Sequence, residues 1–260
     1  DNGSVSQAPG DEPKPHHYVP QTYLRGWADS SGQVGVSRRQ GRSSFVASVT
    51  NVGVEAHLYG SGEAATWRES NFSLLEGAWP DLRRELTATG HLHGRHRDQA
   101  SVFMALQIAR SREHIAYSTL VAELAEYTPE RPLTRAAVRT FIRERHGHVP
   151  GDLEVEAAWT LAHVQIAQGL VPTLDQAFST SMDVAVRDLA PLLGSRHWRV
   201  ERSREPILWS SDRPVMPWRP PSDLDASEGV GYADCDEIRM PIGPSAMLVL
   251  DRRPSVSPID

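Results

Sequence analysis

The sequence predicts an α+β fold, on three observations. Apolar residues recur at helical spacing through the middle of the chain, from about residue 67 to residue 193. Short runs with the character of strands flank that region at both ends. No internal repeat breaks this order, so the N-terminal hairpin and the C-terminal strands are expected to share one small sheet with the helices packed on it.

Taken in order, residues 1–15 are Gly, Pro, Ser and charge and read as a disordered lead-in, which leaves 16–260 as a single domain. Pro20 suits a first helical position, and Tyr23, Leu24 and Trp27 give the short helix behind it one apolar face. Val34–Ser37 and Phe45–Val49 flank an Arg- and Gly-rich turn and predict a hairpin. Leu75, Trp79, Leu82 and Leu86 form one stripe of an amphipathic helix. Ser101–Ile115 is apolar nearly all round, the pattern of a buried helix. Thr134 N-caps a helix that stops at Gly147, and Asp152 is expected to cap another running towards Gly169. Thr173 and Gln176 make a capping box that opens a helix through about Leu193. His197–Glu201, Pro206–Ser210, Ile238–Met240 and Ala246–Leu250 then read as strands. Arg219–Glu237 is a long Pro-, Gly- and acid-rich loop, either a lid or simple disorder.

Composition excludes several classes. The net charge of −6 gives no support for broad electrostatic capture of nucleic acid. Lys14 is the only lysine among 27 basic residues, and arginine suits bidentate recognition of phosphate or carboxylate without requiring it. The single cysteine, Cys235, excludes an intrachain disulfide and every Cys-based zinc motif; its acidic neighbours should raise its pKa. No apolar run approaches the ~20 residues that cross a bilayer, so no membrane partner and a cytoplasmic setting are expected. Phosphate-binding loops, dinucleotide fingerprints, nucleophile elbows and His-Glu-x-x-His motifs are absent from the sequence.

Chemistry is expected where polar groups interrupt apolar sequence. His16 and His17 stand just before the helix start, where free backbone N–H groups and the helix dipole favour anions. They could bind an anion, ligate a metal or move a proton; if extended backbone points them apart, one acts and the other supports it. Gln21 and Arg25 follow on the same short helix as substrate-binding candidates. Gln107 and Arg110 project from one face of the buried helix, with His114 a turn beyond. A buried guanidinium needs an acid or a ligand, and Asp212 is one candidate partner for it. Asp212 itself stands where a strand meets a turn, which fits either an Asx-turn before Pro214 or a carboxylate facing the histidines. His91, His93 and His96 read as an exposed loop cluster, His146 and His148 as helix C-terminal residues, and His163 as a satisfied core histidine.

The stretch His16-His17-Tyr18-Val19-Pro20-Gln21-Thr22-Tyr23-Leu24-Arg25 resembles the opening signature of the bacterial domain-of-unknown-function family 4238. Ala105–Arg110, Ser210–Val215 and Met240–Pro244 echo the same family in order, so the resemblance spans roughly 16 to 250. Arg213 stands where that pattern has Asn. The resemblance implies no activity; it does favour Asp212 as a site residue. A His-His-x-x-Pro sequence is also similar to the metal-binding edge of His-Asn-His nucleases, whose Gly-rich continuation and downstream ligands are not evident here.

The expected function is that of a hydrolase with nuclease- or phosphodiesterase-like chemistry, acting on a phosphate-containing or other anionic substrate. His16, His17, Arg110 and Asp212 are its catalytic candidates, and Gln21, Arg25 and Gln107 bind substrate. A divalent metal is left open, with His17 and Asp212 as its ligands. The expected partner is an anionic small molecule or a nucleic-acid end. The alternatives are a non-catalytic module that binds an anionic ligand and a metal-free biosynthetic enzyme with histidine as acid and base.

Overall fold

The computed structural model describes residues 15–38, 43–56, 58, 62–128, 132–220 and 230–252. The predicted lead-in therefore lies outside the described residues, save for Pro15. Strand β1 (Pro15–His17) pairs antiparallel with β4 (Val54–Ala56), placing His16 opposite Glu55 and His17 opposite Val54. Between them come a one-turn helix α1 (Gln21–Leu24), strands β2 (Gln33–Ser37) and β3 (Ser44–Ser48), and a 3-10 turn (Val49–Asn51). Strands β2 and β3 form the predicted antiparallel hairpin.

The middle of the chain is helical, as its apolar spacing predicts. Helix α2 (Gly62–Thr89) buries Trp79, Leu82 and Leu86, and Trp79 stacks on Phe103 of α3 (Gly94–Ala109) with ring centroids 4.3 Å apart. Pro80 lies inside α2 and has no N–H to offer the Glu76 carbonyl one turn back. Helix α4 (Arg112–Tyr127) packs with α5 (Arg135–Phe141) and α6 (Asp152–Ala167) around a second apolar cluster that includes Leu124, Val138 and Phe141. Thr134 caps α5, which runs through a π-turn (Ile142–His146) to Gly147 at φ +72°. The Thr173–Gln176 capping box opens α7 (Leu174–Val184), and a second π-turn (Ala185–Leu189) carries the helix on into α8 (Ala190–Ser195).

The C-terminal strands β5 (His197–Arg202), β6 (Met216–Trp218), β7 (Glu237–Gly243) and β8 (Ala246–Asp251) make an antiparallel sheet of order β5-β8-β7-β6. The fold class is α+β. The strands divide among three sheets, however, and do not share the single sheet that was expected. The two ends meet through side chains. Buried Tyr23 donates its hydroxyl to the Pro241 carbonyl of β7 at 2.7 Å, and Trp27 donates to the Leu208 carbonyl at 3.2 Å.

Other expectations are corrected at single residues. The apolar run 101–115 is two helices, because the Ser111 hydroxyl accepts the His114 N–H and caps α4. His114 therefore does not continue the face of Arg110. Pro206–Ser210 forms no strand; it crosses α1 and supplies the Leu208 carbonyl and the Ser210 hydroxyl. Gly151, not Asp152, is the N-cap of α6. His163 is exposed and stacks on Trp159 at 4.4 Å. Residues 221–229 of the long loop, read as either a lid or disorder, lie outside the described residues. The chain after them is anchored by the buried Arg196 guanidinium, which donates to the carbonyls of Tyr232, Cys235 and Asp236. Burial is the main force raising the Cys235 thiol pKa, and nearby Arg196 opposes it.

Candidate functional site

A cleft of about 260 Å³ opens between the first strand–helix junction and α2. One wall carries His16, His17, Gln21, Thr22 and Arg25; the other carries Glu69, Phe72, Ser73, Glu76 and Gly77. The second wall is one helical face, because its members recur three, four, seven and eight residues after Glu69.

Local structure explains the first wall. Gly53, at φ +65°, turns the chain into β4, and its carbonyl accepts the N–H groups of Tyr18 and Val19 at 2.9 and 3.2 Å. That bond ends β1 at His17 and feeds the chain into Pro20. Val19, Tyr23 and Leu24 then bury themselves in the main core, while Gln21, Thr22 and Arg25 face the cleft. The opening motif is thus half packing and half site. Helix α1 is a single turn, so its dipole is small, and the N–H groups of Tyr23 and Leu24 already bond the Pro20 carbonyl. Of the N–H groups at that helix start, those two are therefore not open to an anion.

His16 is almost wholly buried and His17 half-buried. Burial pulls the His17 pKa below its ordinary value, and the positive charge of Arg110 adds to that. The Glu76 carboxylate and hydrogen bonds to the backbone of Thr50 and Val49 act in the opposite sense and do not restore it. The imidazole is therefore neutral at pH 7.

Arg110 does not line the cleft. The residue is 1% exposed, and its guanidinium lies over the Phe72 ring and donates to Glu76 at 2.5 Å. The acid that sequence reasoning sought for Arg110 is Glu76 and not Asp212. Gln107 is buried one turn earlier and does not line the cleft either; neither of its amide atoms has a hydrogen-bond partner among the described residues.

Asp212 lies apart from the cleft wall. It is exposed, and its charge acts on the Tyr18 phenol, which burial raises first and which Arg112 opposes. The turn before Pro214 is made by Ser211, whose hydroxyl accepts the Arg213 N–H at 3.1 Å. Arg213 pairs with Glu113 at the start of α4, which ties this turn to the helices. Among the described residues no group of three or more His, Cys, Asp and Glu side chains is arranged to hold a metal ion, so the expected His17–Asp212 ligand pair has no such cluster behind it. The cleft therefore unites His16, His17, Gln21 and Arg25 of the candidates, with Arg110 acting through Glu76, and leaves out Gln107 and Asp212.

Sequence reasoning missed Glu69, Ser73 and Glu76. Their helical spacing is readable, and the acid demanded by a buried Arg110 was a further signal. His114, set aside from the site by the helix break, bonds Ser181 Oγ at 3.0 Å between α4 and α7.

The family described as protein of unknown function (DUF4238) matches residues 15–259 of the chain. The chain belongs to the DUF4238 family. No curated protein and no solved structure matches it. Among the described residues no helix is long and apolar enough to cross a membrane. In this DUF4238 member, residues 16–25 supply one wall of a polar cleft and the packing beneath it.

Proposed function

We propose that this cleft belongs to a hydrolase that acts on a phosphate-containing or other anionic substrate. The carrying observation is a half-buried, neutral His17 that shares the cleft with Glu76, whose carboxylate is fixed by the buried Arg110. A neutral imidazole accepts a proton, and a carboxylate of fixed position stabilises the imidazolium that forms. In this reading His17 takes the proton of an attacking water, His16 supports it, and Arg25 holds the substrate anion with Gln21 beside it. Arg110 acts only through Glu76. A cytoplasmic setting is part of the same proposal.

Release of p-nitrophenol from its phosphomonoester and phosphodiester tests the reading, with and without chelator. His17→Asn should lower turnover by about 10²-fold or more. Its stability should change by less than about 1 kcal/mol. The chelator arm reads whether a divalent metal takes part. A His17→Asn protein as active as the parent overturns the role of His17. Ligand binding without turnover in the parent protein leaves the binding-module reading in its place.

A further inference from the structure

Two oppositely charged side chains line the opposite walls of the cleft, and neither has an ion-pair partner among the described residues. Arg25 on α1 and Glu69 on α2 both line it, and neither pairs with another described residue. Glu76, the other carboxylate there, is already matched by Arg110. Thr22 Oγ1 lies in the same wall, buried and without a hydrogen-bond partner among the described residues. Among the described residues, the charges of Arg25 and Glu69 offset one another, and Arg110 behind the wall offsets Glu76. Such a site does not favour a polyanion: every added phosphate meets the Glu69 carboxylate at close range. A carboxylate accepts hydrogen bonds from hydroxyls, and a single guanidinium holds a single anionic group. The volume of about 260 Å³ admits one small molecule and not a duplex.

We propose that the cleft selects a small hydroxyl-bearing molecule with one anionic group, the anion on Arg25 and the hydroxyls on Glu69 and Thr22. Glu69 is the specificity-determining residue, and it works in part by repelling more highly charged ligands. This inference rests on the cleft being the site proposed above, and it narrows the substrate class within that reading.

Calorimetric titration with ribose 5-phosphate, ribose, inorganic phosphate and inorganic pyrophosphate tests it without any need for turnover. Ribose 5-phosphate should bind at least about tenfold more tightly than ribose or phosphate, and Arg25→Met should remove most of that advantage. Glu69→Gln should weaken ribose 5-phosphate and strengthen pyrophosphate, a crossing of preferences that a merely structural glutamate would not produce. Glycine as a fifth probe separates hydroxyl from ammonium recognition, and tighter binding of glycine than of ribose 5-phosphate overturns the hydroxyl assignment. Pyrophosphate as the tightest ligand of the parent protein, unchanged preferences in Glu69→Gln, or no saturable binding by any probe overturns the proposal. If ribose 5-phosphate binds as described and no ester is ever cleaved, the hydrolase reading fails and this one stands.

Discussion

Arg110 reaches Glu76 at 2.5 Å from inside the helical core, while Glu76 itself touches the cleft. The two partners therefore differ in what their loss leaves behind. Glu76→Gln takes a carboxylate partner from Arg110, a residue 1% exposed, and breaking a buried pair in this way costs up to about 3–5 kcal/mol. Arg110→Met leaves a carboxylate that water can reach and should cost less. Urea denaturation of both variants decides the order; a larger loss in Arg110→Met contradicts this account of the pair.

Acid should destabilise the fold earlier than carboxylate titration alone would. Burial is the first cause lowering the pKa of His17, His114 and His146. The unfolded chain protonates these rings near their ordinary value of about 6.5, and the folded protein does so only at lower pH. The unfolded state thus holds more protons in that window, so stability is complete above about pH 6.5 and declines as pH falls through the folded values. Urea midpoints measured from about pH 7 down to pH 5 should fall, and His17→Asn should flatten part of the slope. A midpoint that rises on acidification runs against this assignment.

Gly53→Ala should damage the site from outside it. Gly53 sits at φ +65°, and a Cβ there would lie 2.8 Å from the Val19 Cβ. The strained backbone and the clash together should cost on the order of 1–3 kcal/mol. Because the Gly53 carbonyl holds Tyr18 and Val19, the ring resonances of His17 should shift as well. A variant with parental melting temperature and unmoved His17 resonances shows that the turn does not position the motif.

Binding at the cleft should respond mildly to salt. One anionic group against Arg25 releases few counterions, whereas an extended duplex contact would lose ~10³-fold or more between 50 and 200 mM salt. Titrations at the two ionic strengths separate these cases, and a steep slope with tight duplex binding removes the small-ligand cleft from consideration.

Local patterns were legible in the sequence, and partners across the fold were not. The Thr173–Gln176 box, the Thr134 cap, the β2–β3 hairpin and the α2 stripe are all written within a few neighbouring residues, and each is present. The break at Ser111 escaped notice because apolar residues continue past it, while one hydroxyl capping α4 outweighs that periodicity. His16, His17, Gln21 and Arg25 were found together because one motif carries them. Arg110 was found as an anomaly, but its partner lies 34 residues away in sequence, and nothing local distinguishes Glu76 from other surface acids. Sequence context points to Asp212, and the hydroxyl of Ser211 makes the turn instead.

Helix α2 has two duties around Pro80: Glu69, Ser73 and Glu76 line a cleft wall, while Phe72, Trp79, Leu82 and Leu86 lie in the main core. The missing amide leaves the Glu76 carbonyl without its helical bond. Amide exchange should accordingly vary along this one helix: slow at Trp79, Leu82 and Leu86, where opening requires the core to open, and faster at Glu69 and Ser73 on the cleft face. The wall that carries the cleft carboxylates can then adjust to a ligand by local opening, at a fraction of the free energy that would unfold the protein.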